Sequence, residues 1–206
     1  VSGALFGDVW PSPGSGGSQD LTGTGDASKY VMGTHFRVVT ACTATGLRWY
    51  VPSGVAPSNS DFAAGLVRVD STNGISVAVT WLDWNTGVTR PSSGAQGTWV
   101  SLPLTAPVAL SVGWDVYALV RTDRYGFSGK VFTSSGTVPG VDSRLSYLQN
   151  AVNFPNGGFN SNTPLSNPPN WSIPDTTEFN EAFYGVDVDL AAAGGGGSVE
   201  RWGIPL

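Results

Sequence analysis

Glycine and proline recur so often along this chain that no long helix fits between them: 28 Gly and 14 Pro interrupt 206 residues. Glycine costs a helix interior about 1 kcal/mol and proline about 3 kcal/mol relative to alanine. Short extended segments joined by turns tolerate the same spacing. The chain therefore reads as all-β. Hydrophobic residues make up 40%, enough for one sizeable core, while charged residues are only 12%, so Ser, Thr, Asn and Gly must carry the surface.

Alternation then places the strands. Tyr30 to Val39 leads, and Thr43 to Val51 follows with Leu47, Trp49 and Val51 on one face. Asn73-Gly74 separates Leu66-Val-Arg-Val69 from Ile75-Ser-Val-Ala-Val79, the strongest short-range hairpin signal. Further strands are expected at Thr98 to Leu104, Val108 to Leu110, Val116 to Arg121, Phe127 to Phe132 and Phe183 to Leu190. Nine or ten strands of this length predict one antiparallel two-sheet sandwich over residues 30–190.

Residues 1–29 form an apolar entry, with Leu5, Phe6 and Trp10, and then a Gly/Ser loop from Pro11 to Gly25. The entry is expected to lie on the body as an edge strand. Gln149 to Asn180, rich in Asn and Pro, reads as a long loop pinned by its aromatic residues.

Residues 191–206 are a tether, Gly194 to Gly197, ending in Trp202, Ile204, Pro205 and Leu206. Burying Ile204 and Leu206 stabilises by about 1.5–3 kcal/mol each. Ordering sixteen residues at roughly 1–2 kcal/mol apiece offsets all of that. Such an arm binds weakly alone and firmly in many copies. Its expected partner is a neighbouring subunit; the competing readings are a plain spacer and a tail folded back on its own domain.

The reactive inventory is thin. His35 is the single histidine, read among Met32, Phe36 and Val38, so neither a Ser-His-Asp triad nor a two-histidine metal site assembles around it. Cys42 is the single cysteine, which excludes an intrachain disulfide and reads as a small buried hydrophobe. Asp187 and Asp189 share one strand face and read as its solvated side rather than a glycosidase pair. Glu178 and Glu181 belong to the long-loop exit, and Asp115 and Asp123 are turn residues. Gly23-Thr-Gly-Asp26 lacks the Lys of a phosphate cradle. No catalytic role is expected, and no cofactor. Calcium is the minor alternative, with Asp8, Asp20 and Asp26 near the first loop as its candidate ligands, although a site needs six or more oxygens and no compact Asp run supplies them.

A net charge of -5 with scattered basic residues argues against nucleic acid and anionic membrane as partners. No apolar run is long enough to insert in a membrane as a helix. Eight tryptophans suggest a second class of function, stacking on sugar rings. Trp81, Trp84, Trp114 and Trp171 each sit beside an Asp or Asn that could bond sugar hydroxyls; Trp171 with Asn170, and Trp84 with Asn85, are the candidate glycan contacts, and the competing reading places Trp81 and Trp114 in the interior.

Tyr30-Val-Met-Gly33-Thr34-His-Phe36 and Ala44-Thr-Gly46-Leu-Arg-Trp49-Tyr50 resemble the opening of a jelly-roll domain family of unknown function. That family is found in secreted actinobacterial proteins and in virion proteins of phages infecting those hosts. Trp99-Val100, Leu102-Pro-Leu104, Pro107-Val-Ala-Leu110 with Gly113 and Val116-Tyr117, and Tyr184-Gly-Val-Asp-Val188 are similar to its later landmarks. The resemblance covers roughly residues 30–190. It departs over Asp61 to Trp84, which fits the family's shorter hairpin loosely, and over an enlarged Asn150 to Asn180. It implies a jelly-roll sandwich and a non-enzymatic minor tail or capsid accessory subunit. Such a subunit would sit on the virion, contacting other virion proteins and its own copies through Trp202, Ile204, Pro205, Leu206, Leu5, Phe6 and Trp10. The alternative is a secreted or virion-borne carbohydrate-binding module recognising host-surface glycans.

Overall fold

The computed structural model describes residues 3–4, 18–24, 30–51, 62–72, 77–89, 91, 98–122, 126–132, 142–147, 159–160, 182–183 and 185–192. Among them there is no helix, and every strand pairing is antiparallel.

The strands in chain order are β1 (Gly3–Ala4), β2 (Ser18–Thr24), β3 (Tyr30–Val38), β4 (Cys42–Tyr50), β5 (Phe62–Thr72), β6 (Val77–Asn85) and β7 (Trp99–Leu110). They continue with β8 (Asp115–Thr122), β9 (Gly126–Phe132), β10 (Leu145–Tyr147), β11 (Phe159–Asn160), β12 (Ala182–Phe183) and β13 (Val186–Leu190). One sheet runs β1-β13-β4-β7; a larger one runs β10-β3-β8-β5-β6, with β11 also on β3; a third runs β12-β9-β2. From β3 to β8 the chain keeps crossing between the two large sheets, with β5 and β6 the one consecutive pair inside a sheet.

The two large sheets enclose one core. Phe36, Ala64, Leu66, Val116, Ala118 and Val120 come from the larger sheet and meet Leu47, Trp49, Leu102, Val186 and Val188 from the smaller. Trp49 tilts against Phe62 with ring centroids 5.4 Å apart. Thr34 Oγ1 donates to the carbonyl of Val186, so one buried hydroxyl ties the layers together.

The larger sheet is buried on its outer face as well. His35, Tyr117, Leu119, Arg121, Ala63 and Val67 alternate with the inward residues and are each at most 1% exposed. Register arranges them in rows: His35, Tyr117, Val67 and Trp81 in one, Gly33, Leu119, Gly65 and Trp84 in the next. The glycines in the second row are sockets. A Cβ on Gly33 would collide with Ala118 O and Leu119 Cδ2, and one on Gly65 would lie 2.8 Å from Trp84 Cε3.

Several expectations need correction. Residues 18–24, expected as loop, form β2 against β9, because backbone pairing does not require an apolar side-chain pattern. Thr98–Leu104 and Val108–Leu110, expected as two strands, are one, β7; Pro103 and Pro107 are tolerated because β7 is an edge strand. Phe183–Leu190 is interrupted at Gly185, whose φ of 67° breaks extended geometry. His35 lies on the face opposite Phe36 and Val38 rather than among them. Trp81 lies on the outer face, not in the interior. The bulge between Leu66 and Val67 adds a residue to β6, which puts Trp81 and Trp84, three apart, on one side. β5 and β6 pair antiparallel up to Thr72 and Val77, so the expected hairpin between these two strands forms, while Asn73-Gly74 and Ile75 lie outside the described residues.

Candidate functional site

Both ends of the described chain meet at one corner of the smaller sheet. Gly3 pairs with Leu190 and Ala4 with Asp189, so the entry segment begins as the edge strand that its sequence leads one to expect. One residue after β13, the Ala191 N–H donates to Thr43 O at 2.8 Å. Arg144 Nη1 donates to Ala191 O at 2.8 Å, which clamps the same residue from its other side.

Arg144 is itself held. Its Nε and Nη2 reach the two oxygens of Asp142 at 2.9 and 2.6 Å, and its backbone N–H donates to Asp142 Oδ1. The bonds from Arg144 keep the Asp142 carboxyl below its ordinary pKa. The Arg144 carbonyl accepts from the amides of Val39 and Thr40 at 2.8 and 3.1 Å. Cys42 begins β4 beside this clamp, half-buried against the core, and burial raises its thiol pKa. The root of the C-terminal arm is thus fixed by a charge-assisted fork. Asp142 before a turn is a readable Asx signal. That Arg144 reaches residue 191 depends on tertiary register and has no local sequence mark.

The edge of β13 beyond β1 is closed by side chains. Val188 N–H donates to the Asp187 carboxylate at 2.7 Å, and Val186 O accepts from Thr34. On the opposite edge strand, β7, the stretch from Pro103 to Thr105 is capped likewise: Thr105 N–H and hydroxyl both donate to Asp83, and Asn85 Nδ2 donates to Pro103 O at 2.9 Å. Capped edges resist unwanted strand addition.

Asn85 also accepts from Gly87 N–H at 2.8 Å, so its amide holds β6 against β7. Trp84 is half-buried over Gly65, in edge-to-face contact with Trp81 at 5.0 Å. Asp187, expected on a solvated face, is 1% exposed: Arg48 Nη2 lies 3.1 Å from Asp187 and Nε 2.9 Å from Asp189, with the guanidinium over the Trp99 ring. His35 is stacked on Tyr117 at 4.3 Å, and burial pushes its pKa down to about 4. Trp114, which the competing reading places in the interior, packs partly on the core and carries Arg68 on its ring at 4.6 Å.

Leu5, Phe6, Trp10, Asn170, Trp171, Trp202, Ile204, Pro205 and Leu206 lie outside the described residues, as do Asp8, Asp26, Asp123, Glu178 and Glu181. Among the described residues no three His, Cys, Asp or Glu side chains gather as a metal site. Comparison with family models, with curated proteins and with solved structures yields no match.

Proposed function

We propose that this chain is a non-enzymatic structural subunit of a virion, a jelly-roll sandwich on the capsid or tail surface that docks on neighbouring subunits through its C-terminal arm. The strand order carries the reading. Numbered along the chain, β1, β3, β4, β5, β6, β7, β8 and β13 become one to eight, and the facing sheets then read 1-8-3-6 and 2-7-4-5. We read that order as two interlocked Greek keys, a scaffold used by viral capsid domains and by lectins. Fold alone does not choose between those uses.

The rooted corner favours assembly. An arm that bears load must leave a fixed point, and Arg144 with Thr43 supplies one at Ala191. The caps at Val186 and Val188 of β13 and at Pro103 and Thr105 of β7 support the same reading, because they disfavour strand addition along those stretches. Many weak copies of Trp202, Ile204 and Leu206 then add up to a firm shell.

The test is deletion of residues 193–206, which removes the arm and leaves its root. Incorporation into particles, measured by quantitative mass spectrometry of purified virions, is expected to fall at least tenfold. Undiminished incorporation overturns the proposal.

A further inference from the structure

The large hydrophobic side chains most exposed among the described residues are Val39 and Val112, at 50% and 62%. They sit in neighbouring loops at one end of the sandwich. Gly113 N–H donates to Val38 O at 2.8 Å, and Val38 N–H donates to Trp114 O at 2.8 Å, so the β3–β4 and β7–β8 connections are stitched together. Ala41 is exposed beside them, and Cys42 and Trp114 are half-buried at the margin. The turn itself is fixed: Trp114 N–H donates to Ser111 O, and Gly113 takes a φ of 84° that side chains rarely adopt. The result is a small apolar end held on rigid turns.

The C-terminal arm starts at this same end. Ala191 is bonded to Thr43, at the start of the strand that follows Val39, and to Arg144, whose carbonyl holds the Val39 amide. Residues 193–201 separate that root from Trp202. Fully extended they reach about 30 Å, and as a glycine-rich coil they average about 15–18 Å. The apolar end is well within that reach. A tether of this length presents its tip at a millimolar effective concentration, far above a micromolar concentration of neighbouring molecules.

We propose that in the free subunit the tip of the arm, Trp202 to Leu206, docks back on the apolar end formed by Val39, Ala41, Val112 and the margin of Trp114 of the same molecule. The contact covers two exposed valines and keeps the greasy tip from binding other molecules before assembly. The inference stands apart from the virion reading, since it concerns the isolated chain and holds whatever partner receives the arm later.

The test is disulfide trapping in the full chain carrying Cys42→Ser. Val112→Cys with Ile204→Cys is compared with Ser101→Cys with Ile204→Cys, Ser101 being exposed on the outer face of the smaller sheet. At low micromolar protein, the first pair is expected to close within the monomer at least tenfold faster than the second. Equal rates mean an untethered search by a free tail and overturn the proposal; so do cross-links found only between molecules. A cysteine-free measurement guards against misfolded variants. Backbone amides of residues 202, 204 and 206 are expected to exchange at least fivefold more slowly in the unmodified chain than in Val39→Asp/Val112→Asp. Unprotected amides in the unmodified chain overturn it equally.

Discussion

On the outer face of the smaller sheet, Arg48 lies between Asp187 and Asp189 under the Trp99 ring; on the outer face of the larger sheet, His35 lies flat on Tyr117 in a row with Val67 and Trp81. Both faces hide ionisable groups that an isolated sandwich would leave in water, Arg48 and Asp187 on the smaller sheet and His35 and Arg121 on the larger. The smaller sheet keeps its charges and matches them. The larger one keeps its histidine neutral, with burial the largest influence on its pKa. A buried ionisable group is thus accommodated in two ways, by a partner of opposite charge or by loss of the charge, and the two respond to different perturbations.

Removing Arg48 is expected to have the largest effect. Asp187 has no exposed side-chain surface, so Arg48→Met strands a buried carboxylate and should destabilise the fold by about 3–5 kcal/mol. Urea unfolding monitored by tryptophan fluorescence measures it. The double variant Arg48→Met/Asp187→Leu should recover most of the loss, because no charge is then left alone. A single variant within 1 kcal/mol of the parent would place the smaller sheet in the same class as the larger.

How much of this was legible in the residues differs between the two faces. Val186, Val188 and Leu190 alternate with Asp187 and Asp189, and the strand and its inward side follow directly. What alternation cannot supply is the partner strand: Asp187 is buried because register sets it opposite Arg48, 139 positions away. His35 shows the complementary failure. Period-two reasoning assumes one dry face, and in the larger sheet Phe36 and His35 are equally dry on opposite sides. The strands β3, β4 and β8 and the β5–β6 hairpin were readable because their apolar runs are regular. β2 and the Arg144 clamp were not, since both are defined by distant backbone groups.

The second effect is a pH dependence confined to the larger sheet. His35 titrates near 6.5 when unfolded and about 4 when folded, so between those values the unfolded chain binds the extra proton. Stability is full above pH 6.5 and falls as the medium is acidified towards pH 4. From pH 7 to pH 5 the loss attributable to this group is about 2 kcal/mol. His35→Phe, which preserves the stack on Tyr117, should flatten that limb while Arg48→Met leaves its slope unchanged. An unaltered slope in the phenylalanine variant would assign the acid sensitivity elsewhere.

The smallest effect separates burial from pairing. Arg37 forks onto Asp115 at 2.7 and 2.8 Å, as well made a pair as any in the molecule, but its side chain is 52% exposed. Exposed pairs contribute only about 0.2–1 kcal/mol, so Arg37→Gln should cost a fraction of what Arg48→Met costs. The same substitution acts on His35, two residues along the strand. Arg37 lowers its pKa and Asp115 raises it, so deleting the cation and freeing the carboxylate both move the imidazole upward. NMR titration of the single histidine should show that rise while the denaturation midpoint at neutral pH barely moves. A loss above 2 kcal/mol, or a histidine pKa that falls, would mean that the rim pair is coupled to the buried face more tightly than its exposure allows.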